Sequence, residues 1–72
     1  MWKVVYIAHS EDSAKKIKDM LTANGFLVQL KGVGGKNKKA YEICVPFSEA
    51  EDACEVLREH QFHLRKLGNL SC

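Results

Sequence analysis

The residues that could do chemistry in this 72-residue chain are three histidines, three cysteines, a row of helix carboxylates and a lysine-rich glycine loop. His60 and His63 stand three apart, with Glu59 beside them, so one helical turn could offer a metal ion two ring nitrogens and an oxygen. A metal site needs further ligands from a second cluster, and none follows; surface histidines and no metal are expected. Cys44, Cys54 and Cys72 have no CxxC spacing and an odd count, which argues against a disulfide framework or a structural zinc site. Cys44 falls in a strand pattern and Cys54 in a helix pattern, so both are expected as buried free thiols and Cys72 as an exposed one. Glu51, Glu55 and Glu59 repeat at i,i+4 beside an apolar stripe, the pattern of a solvated helix face rather than of two carboxylates across a cleft. His9 is single and precedes a helix cap. With no nucleophile, base and orienting group combined, the chain is expected to be no enzyme and to need no cofactor.

The loop is more distinctive. Gly34-Gly35-Lys36 superficially resembles a phosphate-binding loop, but Asn37 stands where a Ser or Thr is needed, and the context is strand–loop–strand with no helix behind it. Lys31, Lys36, Lys38 and Lys39 give the segment Lys31–Lys39 a charge of +4 with no acid. Glu49–Glu59 carries −4, from Glu49, Glu51, Asp52, Glu55 and Glu59 against Arg58. These are either two solvated faces or a dipolar surface on which the basic loop meets an acidic partner. In the second reading Lys31, Lys36, Lys38 and Lys39 steer the partner and Val33 anchors it. The alternative is weak, sequence-independent nucleic-acid or anion binding through loop 31–39; lysines without arginines or a paired ring motif argue against specific readout.

These residues need a scaffold, and the periodicity of the chain supplies one. Val4–Ala8 (VVYIA) is a short β-branched run. Ser10 is the expected N-cap of a helix with Glu11 and Asp12 in its first turn, Ala14, Ile17 and Leu21 on one face, and Asn24-Gly25 as the stop. Phe26, Val28 and Leu30 recur with period two, as do Tyr41, Ile43 and Val45, so an antiparallel hairpin over Phe26–Val45 is predicted, with Glu42 near Gln29 or Lys31. Pro46 ends that strand. Ser48-Glu49-Ala50-Glu51 reads as a capping box, with Phe47 as its staple residue, opening a second helix along Ala50, Ala53, Cys54 and Leu57. No turn former lies between Glu59 and Phe62, so this helix is expected to run to about Leu67, the alternative being a short fourth strand over Phe62–Leu64.

One domain spans 1–72, with 68–72 expected to fray. The order is β-α-β-β-α. A right-handed crossover gives an α/β (α+β) two-layer sandwich, a ferredoxin-like βαββα unit with a three-stranded sheet of order 1-3-2 whose fourth strand is absent or short. With both helices on one side, the other sheet face, or the free edge of the first strand, is left as a contact surface. Trp2, Val4 and Tyr6 alternate along it as the candidate self-association residues, and a homodimer would enlarge a small core. A 46% hydrophobic, 28% charged composition suits a soluble globular domain; with no long apolar run, a cytoplasmic chain without a membrane partner is expected.

The opening VVYIA, the helix Glu11–Ala23, NGFLVQL at Asn24–Leu30, a glycine-containing loop, YEICVP at Tyr41–Pro46 and the acidic second helix together resemble a family of small bacterial domains described as prokaryotic signal-transducing proteins of unknown function. The resemblance covers about Met1–His60. It implies recognition or regulation and supplies no catalytic residues; Gln61–Cys72 departs from it. The expected function is that of a non-enzymatic accessory or regulatory module acting through protein–protein recognition in signalling.

Overall fold

The computed structural model describes residues 1–36 and 40–72, and of Phe62 the backbone alone. Strand β1 (Trp2–Ala8) leads into helix α1 (Glu11–Ala23), and strands β2 (Gln29–Val33) and β3 (Ala40–Pro46) form the hairpin. A 3-10 turn (Phe47–Glu49), helix α2 (Ala50–Glu59), a single helical turn α3 (Gln61–Leu64) and strand β4 (Gly68–Leu70) complete the chain. The sheet order is β2-β3-β1-β4 and every neighbouring pair is antiparallel. This is the ferredoxin-like two-layer sandwich expected from the sequence, its 1-3-2 core extended by a short fourth strand.

The first helix forms as its punctuation requires. The Ser10 hydroxyl accepts the Ser13 amide at 3.1 Å, satisfying a donor that the helix itself leaves unpaired. At the other end the Phe26 amide donates to Leu21 O and the Gly25 amide to Thr22 O, the paired bonds of a Schellman stop. Gly25 has φ +90°, a conformation only glycine adopts without strain. Ala14, Ile17 and Leu21 of α1 and Ala50, Ala53, Cys54 and Leu57 of α2 share one core with Val5, Tyr6, Ala8, Ile43 and Val45. Both helices therefore cover the same sheet face.

Four local readings are corrected. The hairpin pairs from Gln29 rather than Phe26, with Lys31 opposite Glu42 as anticipated. Ser48 does not cap α2: the N-cap is Glu49, without a side-chain bond, because the 3-10 turn already sets helical angles there. The Glu49 carboxylate instead accepts the Leu27 amide at 3.1 Å, and the supposed staple residue Phe47 is 64% exposed. Helix α2 stops at Glu59 instead of running to Leu67, and 68–70 form β4 instead of fraying. The physical reason is the free edge of β1: Tyr6, Ile7 and Ala8 pair with Leu70, Asn69 and Gly68, and backbone bonds from His9 to Leu67 and from Ser71 to Val5 close both ends. Lastly, Cys54 and Cys72 form a disulfide, leaving Cys44 as the free thiol. A helix position and a tail position gave no spacing rule to pair them; they meet only because β4 returns beside α2.

The largest correction concerns Tyr6. The β1–β3 register shifts between Val4 and Tyr6, so Val5 is an extra residue without a partner on β3. A bulge of this kind places two successive side chains on one side. Val5 is fully buried and Tyr6 is 2% exposed, its hydroxyl donating to the Leu64 carbonyl at the end of α3. Tyr6 thus faces the helices, away from Trp2 and Val4, and leaves the self-association set. Burial raises the phenol above its ordinary value of 10.0. The folded state therefore keeps this proton where the unfolded chain releases it: the contribution is intact below pH 10 and declines as pH rises further. Tyr6→Phe is expected to cost about 1 kcal/mol at pH 7, through the orphaned Leu64 carbonyl, and to flatten the loss of stability above pH 10. Urea titrations of both proteins at neutral and alkaline pH measure the two effects; parallel pH curves would contradict them.

Candidate recognition surface

With Tyr6 turned inward, the uncovered face of the sheet is built from alternate residues of three strands. Register and alternation put Trp2, Val4 and Ile7 of β1 beside Pro46, Cys44 and Glu42 of β3, and these beside Gln29 and Lys31 of β2. Trp2 pairs with Pro46 and Val4 with Cys44, giving two apolar rows with Ile7 above them. None of Trp2, Val4, Ile7, Cys44 and Pro46 belongs to the core cluster or packs against it. Trp2 is exposed and Val4, Ile7 and Pro46 are half-buried on this face, whereas Cys44 between them is buried.

The exposed end of this face is apolar as well. Trp2 is 49% exposed, and the other large exposed hydrophobic residues, Met1, Leu27 and Phe47, stand at the same end. Their nearness follows from backbone bonds: the Phe47 amide donates to Met1 O at 2.8 Å, and Leu27 is tied to Glu49 just beyond Phe47.

Charge sits at the rim. Lys31 is exposed and faces Glu42 across the hairpin, so its charge is partly balanced within the chain. Cys44, 7% exposed, lies between Val4 and Gln29, and its thiol is raised above 9.0 mainly by burial, with Glu42 adding to the rise and Lys31 opposing it. At neutral pH it stays protonated, a packing group rather than a nucleophile. Val33 pairs with Ala40 at the start of the loop and is half-buried, while Lys36 is exposed. Lys38 and Lys39 lie outside the described residues, so the basic loop's four-lysine set is only partly placed.

The other candidates come apart. His60 and His63 are exposed, and among the described residues no three His, Cys, Asp or Glu side chains gather as metal ligands would. A groove of about 350 Å³ opens on the helix side between Lys3, Phe47, Glu51 and Arg58, with the Cys54–Cys72 bridge in its wall. It mixes two cations with one anion around an apolar floor. Sequence reading singled out Trp2 and Val4 for this face and expected Cys44 as a buried free thiol, as found, but it missed Ile7 and Pro46. No family model matches the chain, and neither the curated proteins nor the solved structures contain a match to it.

Proposed function

We propose that the chain is a non-enzymatic accessory or regulatory module that works by protein–protein recognition, in keeping with its resemblance to small signal-transducing domains. The observation that carries this reading is the open sheet face, largely apolar on both middle strands, with Trp2 exposed at its end. Proteins are the partners that such a surface suits, because burying it removes apolar area from water. The rival reading, nucleic-acid or anion binding through loop 31–39, is weaker on the same face. A four-stranded sheet that binds RNA stacks bases on several rings of its middle strands, and here those strands offer one ring, Trp2 at the end of β1, with Val4, Ile7, Glu42 and Cys44 at the other positions. The loop lysines Lys36, Lys38 and Lys39 then steer an acidic partner toward the face, and Val33 adds contact at its edge.

A capture experiment from native lysate tests this, with and without nuclease, comparing the wild type with Trp2→Ser and with the triple change of Lys36, Lys38 and Lys39 to Glu. A protein retained after nuclease and lost with Trp2→Ser is the expected result. Recovery of nucleic acid alone, lost in the lysine variant, moves the function to the rival. Identical captures by all three proteins would remove both surfaces from the account.

A further inference from the structure

We propose that the occupant of the open sheet face is a second copy of this chain, in a two-fold symmetric dimer with the sheets packed face to face; the inference rests on the reading of that face as a recognition surface. The sheet order allows a two-fold superposition of the two faces. A two-fold axis along the strands between β1 and β3 carries β2-β3-β1-β4 onto itself reversed, so each β1 lies over the other copy's β3 and all four strands overlap. In that arrangement the half-exposed Trp2 meets Pro46 of the other copy and Val4 meets its Cys44, large side chains against small ones. Ile7 lies over Glu42 of the other copy, each Glu42 keeps Lys31 of its own hairpin as its neighbour, and Gln29 and Lys31 fall toward the outer strand.

The area is sufficient for a weak, specific dimer. Four strands ~4.8 Å apart and about five residues long make a face of roughly 300 Å², or about 500 Å² of accessible surface with its side-chain relief. Two such faces bury about 1,000 Å², at the lower bound of specific interfaces, so the dimer is a reversible one. The rival geometry, antiparallel pairing of two exposed β2 edges, is disfavoured by charge. Lys31 is the middle residue of β2 and would lie opposite its own copy. The edge of β1 is already taken by β4.

Sedimentation velocity from about 5 to about 500 µM is expected to show a monomer–dimer equilibrium. With the Cys54–Cys72 bridge intact, alkylation reports Cys44, and its rate should fall as the dimer fills. Trp2→Glu, at the exposed start of β1, should raise the dissociation constant at least about tenfold while circular dichroism stays unchanged. Gln29→Glu, at an exposed position of the same face, repeats the test should Trp2→Glu fail to fold. A monomer throughout overturns the dimer, as does a dimer whose strength and Cys44 reactivity ignore both substitutions. A monomer that still captures another protein through Trp2 removes only the second copy; loss of both dimer and capture removes the recognition reading itself.

Discussion

Gly68→Ala is expected to cost about 3–4 kcal/mol and to lower the urea midpoint by roughly 2–3 M, most of the stability a domain of this size has. A Cβ at Gly68 would stand 2.0 Å from Ile7 O, 2.7 Å from Tyr6 Cε1 and 2.8 Å from Ala8 Cα. Two of these neighbours are backbone atoms of the strand to which β4 is hydrogen-bonded, so no rotamer change relieves the overlap. The φ of Gly68 is not positive, so the requirement is for space and not for an unusual conformation. The strand must move off, and with it go the pairing of Tyr6, Ile7 and Ala8 and the packing of Leu67 and Leu70 on the core. Hydrogen exchange should show the amides of Asn69 and Ser71, which face β1, losing protection first. A midpoint within a few tenths molar of wild type would show that β4 does not pack as described.

Removing the Cys54–Cys72 bridge is the second large effect. The bridge joins α2 to the residue that follows β4 by two positions and spans 18 residues of sequence. Closing a loop of that length restricts the unfolded chain by about 3 kcal/mol, and that much stability is expected to disappear in Cys72→Ser. A dithiol reductant should lower the wild type to the level of Cys72→Ser and leave Cys72→Ser itself unmoved. Urea titrations of the two proteins with and without reductant give all four values; equal stability of oxidised and reduced wild type would contradict the expectation. Because Gly68→Ala and Cys72→Ser both act through β4, the double change should cost less than the two single costs together.

These two predictions concern the part of the chain that sequence reading described least well, and the contrast is instructive. Period-two alternation places a side chain on the right face only while the register is unbroken. It succeeded in β3, where Ile43 and Val45 join the cluster under the helices and Cys44 lies on the opposite face, and in the hairpin, where Lys31 faces Glu42. It failed in β1, because an unpaired Val5 reverses the parity of everything after it and turns Tyr6 from the candidate contact surface into the core. No local residue type announces that bulge; it is set by what Tyr6 gains from burial and from the Leu64 carbonyl 58 positions away.

What the sequence by itself determined is therefore the order of the elements up to α2, the limits of α1 and the existence of an uncovered sheet face with Trp2 and Val4 upon it. Ser10, Asn24-Gly25 and Pro46 act within a turn or two of their own positions, so their effect is written in the local chain. The break of the helix at His60, the three-residue strand β4, the Cys54–Cys72 pairing and the addition of Ile7 and Pro46 to the open face were decided only in the tertiary structure. Gln61–Cys72 has weak preferences of its own, and three residues are too few for a periodic signal. That segment takes its form from the unpaired edge of β1, whose backbone groups need partners that only a distant part of the chain can supply.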